Sequence, residues 1–234
     1  MSRDWNPVRL AAGGVLAAWA AVFWFLLLSG RSAFYLSPRT AWVVPLGAAL
    51  LTAAAFGRIA SARAPHSEPF TRRHAGRLAL ILLPVIAILT LPPVALGSYA
   101  AERRSLAGAG FSGATLDVST SEITLGHVAR AMWSREAMAA LASRAGSEVS
   151  FVGIVTRRDD TPADEFFLTR FIISCCVADA LTVQVRIMGA PPGEFKEDEW
   201  VQVTGSIFPI GQDVVVEASK VERIPQPGNP YLTP

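Results

Sequence analysis

Cysteine and histidine are scarce in this 234-residue chain: two cysteines, adjacent at Cys175 and Cys176, and three histidines, His66, His74 and His127. The scarcity excludes several chemistries. There is no CxxC redox motif, and neither a second cysteine pair nor a nearby histidine completes four ligands around Cys175 and Cys176, which removes a zinc site of the ordinary kind. No histidine follows His127, so the C-terminal part lacks the usual general base. The signatures GxSxG, HExxH and GxxxxGK(S/T) are absent as well, and the chain reads as non-enzymatic. Charge is also thin. Only 17% of residues are charged against 51% hydrophobic, which is apolar for a purely soluble protein. Lysine is nearly missing, two against nineteen arginines, a bias that fits codon usage better than a binding surface.

What is present divides the chain. Residues 10–30 carry no charge, and at about 1.5 Å per residue such a run crosses a hydrocarbon layer of roughly 30 Å. Arg3 and Arg9 precede it, but the run is long and no small-x-small cleavage site follows before Arg31, so a span is expected in place of a signal peptide. Residues 40–57 form a second candidate, with Pro45 near the start where a ring is tolerated. Residues 78–101 form a third, interrupted by Pro84 and Pro92-Pro93.

The loop at 58–77 holds Arg58, Arg63, Arg72, Arg73 and Arg77 against one glutamate, while the preceding loop has only Arg31 and Arg39. The positive-inside rule then predicts a cytoplasmic N-terminus and 58–77 loop, and an extracytoplasmic C-terminal domain in the cell membrane. Residues 102–147 are expected to be a linker followed by two short helices. Leu106 to Gly113 is rich in Gly and Ala, and Ser134 is placed to cap a helix from Arg135 that ends before Gly146. His127 has no His, Cys or carboxylate at ligand spacing and is expected to be structural, while His66 and His74, which could bind a metal or a phosphorylated lipid head group, are expected to be solvated beside the arginines.

From residue 148 the hydrophobic period becomes two. Leu181, Val183, Val185 and Ile187 alternate with Thr182, Gln184, Arg186 and Met188, and Val201, Val203 and Ile207 repeat the pattern. Five strands within 148–225, with Gly153 and Gly205 at bending points, predict a small OB-like β-barrel, with a β-sandwich as the alternative. Residues 226–234 are expected to be a flexible tail. OB barrels often bind nucleic acid, and Phe166, Phe167, Phe171 and Trp200 are possible stacking surfaces. Residues 149–224 carry twelve acidic side chains against seven basic ones, however, so no nucleic-acid partner is expected and most of these aromatics are assigned to core. The runs Asp159-Asp160, Asp164-Glu165 and Glu197-Asp198-Glu199 are expected to be solvated turns.

Thiol redox chemistry is one open reading of the cysteines, and three others stand beside it. In a regular strand Cys175 and Cys176 point to opposite faces, and burial as packing residues is the default. A bulge lets both converge on a soft metal or metalloid ion, with Asp179 as a further ligand. A vicinal disulfide is the third.

The segments LPPVALGSYAAERR, FVGIVTRRDD, RFIISCCVADA and WVQVTGSIF, within residues 78–224, resemble those of a bacterial family of permease subunits of unknown function, with RFIISCCVADA the most specific. Members of that family join membrane helices to a C-terminal β domain and accompany a multi-spanning permease of the organoarsenical-efflux type. The resemblance implies an accessory transport subunit, with Arg170, Cys175, Cys176 and Asp179 as candidate ligand residues and Cys175 and Cys176 as candidate metal ligands. It leaves both the cofactor and the transported substance unidentified.

Overall fold

The structure is a computed structural model describing residues 4–64, 69–104, 122–211 and 213–233. It divides into two compact units, residues 1–94 and 95–234.

The first unit is built from three long helices, the first and third of which start at capping residues. Asn6 accepts from the amides of Val8 and Arg9 at 3.0 and 3.2 Å and Pro7 occupies the first turn, so α1 runs Pro7–Leu28. Helix α2 spans Val43–Ala60 and carries Pro45 in its opening turn. Helix α3 spans Arg72–Thr90, entered at Thr71, whose amide and hydroxyl meet His74 Nδ1 at 3.4 and 2.9 Å. At about 1.5 Å per residue these helices are roughly 27 to 33 Å long, enough to cross a bilayer. Their outer faces expose Leu28, Leu50, Phe56 and Leu80, which suits lipid better than water.

Glycine sets how closely α1 and α2 approach. A Cβ on Gly13 would stand 2.6 Å from Ile59 Cγ1, and one on Gly47 would stand 2.7 Å from Phe23 Cε1. A two-residue ribbon, β1 (Asp4–Trp5) against β2 (Arg63–Ala64), joins the start of α1 to the end of α2. The third membrane segment differs from expectation. Its helix begins at Arg72, six residues before 78, and ends at Thr90, because Pro92 and Pro93 supply no amide donors and disfavour helix before them. Residues 98–101 belong instead to a separate helix, α4 (Ser98–Arg103), in the second unit. His66 and the expected linker at 106–113 lie outside the described residues.

The second unit holds a closed five-stranded barrel. Its strands are β3 (Glu148–Thr156), β4 (Glu165–Ile172), β5 (Leu181–Met188), β6 (Trp200–Ile210) and β7 (Asp213–Arg223). They pair in the order β3-β6-β7-β5-β4, and β4 returns to β3. All neighbours are antiparallel except β5 and β7, the connectivity of an OB barrel. Alternation along the strands sends Phe151, Val155, Leu168, Val185, Val203 and Ile207 inward. Helices α5 (Leu125–Ala131) and α6 (Arg135–Ala142) add Leu125, Val128 and Leu141 to the same core, and Ile123 joins it just ahead of α5. Ser134 caps α6 by accepting from Ala137 N at 3.2 Å, and Gly146 adopts φ +82° beyond its end. His127 is structural: its Nδ1 accepts from Thr124 N at 2.9 Å, closing the cap of α5.

The tail is not free. Tyr231–Leu232 forms a short parallel strand, β8, beside Phe171 and Ile172, and Tyr231 is buried. The sequence 226–234 has no β-rich run long enough to announce this, since the pairing is carried by two residues and by side chains elsewhere in the barrel.

Candidate functional site

The β-rich run Phe166 to Val177 predicts a strand through the cysteines, but β4 ends at Ile172. Two local captures stop it. Ile173 N donates to Leu232 O at 3.0 Å, the last bond of the edge. Asp179 then takes the next two amides, Ser174 N on Oδ1 at 3.1 Å and Cys175 N on Oδ2 at 2.7 Å, and Asp179 N returns to Cys176 O at 3.0 Å. A carboxylate that binds backbone a few residues away offers the chain an alternative to the ladder, so it turns into the short 3-10 segment Val177–Asp179. Arg104, just past α4, holds the far side of the loop by donating from Nη1 to Ala178 O and Ala180 O at 3.3 and 3.1 Å.

The thiols are thus on a loop and not in a strand that buries one and exposes the other: Cys175 is exposed and Cys176 half-buried. Their sulfurs stand 3.6 Å apart as separate thiols. Cys175 bonds to the Asp179 carboxylate, and that bond, with a smaller one to Cys176, favours the protonated form and pushes the thiol up to about 11. For Asp179, burial acts to raise the value, but the bonds from the Cys175 thiol and from the Cys175, Ser174 and Cys176 amides outweigh it and hold the carboxyl below its usual range. Asp179→Asn keeps an acceptor for the loop and removes the charge. We expect the Cys175 thiol to fall toward its ordinary value and, because thiolate is the nucleophile, alkylation near neutral pH to accelerate by about tenfold or more. An unchanged rate–pH profile for Cys175 alkylation would contradict the assignment.

Arg170 is not part of this loop site. It is only 8% exposed and sends Nε to Pro230 O, Nη1 to Val152 O and Nη2 to Asn229 O at 3.0, 3.1 and 3.0 Å. Its guanidinium lies 5.0 Å from the Trp200 ring centroid, and burial lowers its pKa to about 10, which leaves it charged at neutral pH. Arg170 ties β3 and the C-terminal strand to β4. Of the four residues singled out from the sequence, the structure joins Cys175, Cys176 and Asp179 and assigns Arg170 to the frame behind them. Among the described residues no group of three His, Cys, Asp or Glu side chains is disposed to hold a metal ion.

The aromatic candidates also separate. Phe166 and Phe171 are buried, Phe167 lies half-buried under Arg158 at 4.3 Å, and Trp200 packs against the small cluster of Phe171, Ile173, Ala180 and Tyr231. The acidic run at 197–199 is no bare solvated turn. Glu197 accepts from Arg157 N at 3.2 Å, Asp198 accepts from Ser98 N and Oγ at 2.5 and 3.0 Å, and Glu199 pairs with Arg223 at 3.1 Å.

Sequence reasoning missed the outer face of β4 and β5. A cleft of about 310 Å³ lies there, lined by Met132, Arg158, Phe167, Gln184, Arg186 and Ile210 among others, with Arg186 paired to Glu165 at 2.5 Å. A second, polar cavity of about 220 Å³ shares Arg158 and Gln184 with it and lies between α4 and the barrel. The available signal was the Arg157-Arg158 pair directly after β3, at the first interstrand loop, one of the regions OB domains use for binding.

These features define a class: a membrane protein of three candidate spans carrying an OB-type barrel with an exposed dithiol loop. More particularly, the chain belongs to the family described as the DUF1980 C-terminal domain, whose model matches residues 113–234. The match contains the barrel, the cysteine loop and the C-terminal strand, and leaves the three membrane helices outside it. No curated protein matches the chain.

Proposed function

We propose that this chain is a non-enzymatic accessory subunit of a membrane permease system, whose extracytoplasmic OB domain binds a soft metal or metalloid ion through Cys175 and Cys176. The observation that carries the reading is the pair of thiols 3.6 Å apart on an accessible loop braced by Asp179 and Arg104. Thiolate is the ligand class that selects soft ions, and since no group of three His, Cys, Asp or Glu side chains among the described residues is disposed to hold a metal, the two sulfurs are the ligands of this reading. The elevated Cys175 thiol argues against a thiol redox catalyst, because little nucleophilic thiolate exists at neutral pH. The arginine-rich 58–77 segment supports the sidedness. The resemblance to subunits that accompany organoarsenical-efflux-type permeases supports the partner.

Binding must expel the thiol protons, and one of them is held up to about 11. Affinity therefore rises with pH throughout the range below that value, by about tenfold per unit for each proton released. Cadmium titration of the full chain in nanodiscs, read by thiolate-to-metal absorbance, is expected to give one ion per chain, tighter at about pH 8 than at about pH 6. Cys175→Ser and Cys176→Ser should each abolish it. A stoichiometry of zero, or undiminished absorbance in both serine variants, rules out the soft-ion site. The accessory role fails separately if the tagged chain brings no multi-spanning permease out of solubilised membranes and its deletion leaves metal and metalloid tolerance unchanged.

A further inference from the structure

The cavity between α4 and the barrel has an unusual charge for this domain. Residues 149–224 hold twelve acidic and seven basic side chains, yet two of the seven, Arg157 and Arg158, line this one space together with Arg104 from the end of α4, beside Ser98, Thr156 and Gln184. A basic composition cannot account for that concentration.

Each guanidinium is held in place by neutral acceptors. Arg104 donates to Ala178 O and Ala180 O. Arg157 donates to the Glu165 and Phe195 carbonyls. Arg158 donates to Gln184 Oε1 at 2.9 Å and lies over the Phe167 ring. None of the three forms an ion pair with a carboxylate among the described residues, where Arg103, Arg186, Lys220 and Arg223 do. Carbonyls fix orientation without cancelling charge, and a guanidinium has five N–H donors, of which these bonds use one or two. The acid on the cavity wall is Glu102, an exposed side chain whose Oε2 lies 3.4 Å from Arg103 Nη1. Three positioned, uncompensated forks around about 220 Å³, room for roughly seven waters, match a compact polyvalent oxyanion.

We propose that this cavity is a binding site for a tetrahedral dianion of the phosphate class, with Arg104 and Arg158 as its principal ligands. Gln184 fixes the Arg158 fork, and the carbonyls of Ala178 and Ala180 fix that of Arg104. The anion comes either free or as the terminal group of a phosphate ester. The site is independent of the soft-ion reading, since neither sulfur touches it.

The test is calorimetric titration of the full chain in nanodiscs with sodium phosphate at constant ionic strength. Saturable one-to-one binding is expected. Arg158→Gln, an exposed substitution, should weaken it by more than about tenfold, the loss of a charge-assisted contact. Glu102→Gln should tighten it severalfold by removing the like charge, an effect that a merely structural role for the cavity would not produce. Cys175→Ser must leave it unchanged. Competition by an oligothymidylate with a 5′-phosphate, but not by one without, identifies an ester as the source; no competition by either identifies the free anion. The proposal is overturned if phosphate gives no saturable heat, or if folded Arg158→Gln and Arg104→Gln bind as the unaltered chain does.

Discussion

Gly205→Ala is expected to loosen the barrel more than any other single methyl group placed in it. A Cβ at this position would stand 2.1 Å from Glu217 O and 2.9 Å from both Ala218 Cα and Glu217 C. All three are backbone atoms, so no side-chain rotation relieves the clash. The position is also where the β6–β7 register shifts, from Thr204 opposite Lys220 to Gly205 opposite Ala218, and the skipped residue bends the sheet toward closure. Forcing the strands apart there costs about 3 kcal/mol, the upper range for an overpacked core. Hydrogen exchange of the β6 and β7 amides in the full chain should accelerate by about 100-fold, while the α1 and α2 amides stay as they were. Gly126→Ala serves as the control. Its nearest contact would be Thr124 Oγ1 at an ordinary 3.5 Å, so it should leave β6 and β7 unaffected. Equal exchange in the two variants would show that the bulge does not depend on glycine.

The same residue marks how far the sequence could be read. Alternation in Leu181 to Met188 and in WVQVTGSIF locates β5 and β6, and glycines at 153 and 205 locate the points where flat strands cannot continue. A Cβ on Gly153 would lie 2.7 Å from Thr169 O, the crossing where β3 leaves β6 for β4. These features depend on neighbours along the chain, and a period of two records them. The end of β4 depends on something else. FFLTRFIISCCV has β propensity throughout, and what stops the strand at Ile172 is one carboxylate, Asp179, outbidding the ladder for two amides, together with an edge partner contributed from residue 232. Propensity cannot report a partner sixty residues away. The cysteines moved from an expected strand to an exposed loop for that reason alone.

The acidic turn at 197–199 was opaque in a related way. Composition shows three consecutive acids, but their individual roles follow from φ +65° at Asp198, which aims its carboxylate at the start of α4 while Glu197 and Glu199 serve Arg157 and Arg223. The membrane helices were legible by hydropathy and their limits by capping only after the fact. Asn6 and Thr71 set starts that the uncharged runs, beginning at residues 10 and 78, pass over, because a helix can carry Arg9, Arg72 and Arg77 in its first turns.

Arg170→Met should release the C-terminal strand. Methionine keeps the length and apolar packing beside Trp200 but leaves the carbonyls of Val152, Asn229 and Pro230 without the donors that now satisfy them. Pro230 is buried, so its carbonyl left unpaired costs about 1–3 kcal/mol and recovers water only if the tail lifts, while the more exposed Asn229 carbonyl turns to solvent. The cheapest response is therefore local. Tyr231 and Leu232 leave β4, the Leu96 N bond to Tyr231 Oη is lost, and Ile173 N loses Leu232 O, which frees the strand end that feeds the cysteine loop. With a net loss of about 3 kcal/mol at this edge, exchange of the amides at 171–173 should rise by about 100-fold, and Cys176, now half-buried, should alkylate faster. Arg170→Lys is the sharper variant. It keeps the positive charge, but one ammonium on a flexible stem cannot reach three carbonyls in the directions a planar fork does, so it should behave as methionine does and not as arginine. If lysine restores slow exchange at 171–173, charge alone holds the tail and the directional argument is wrong.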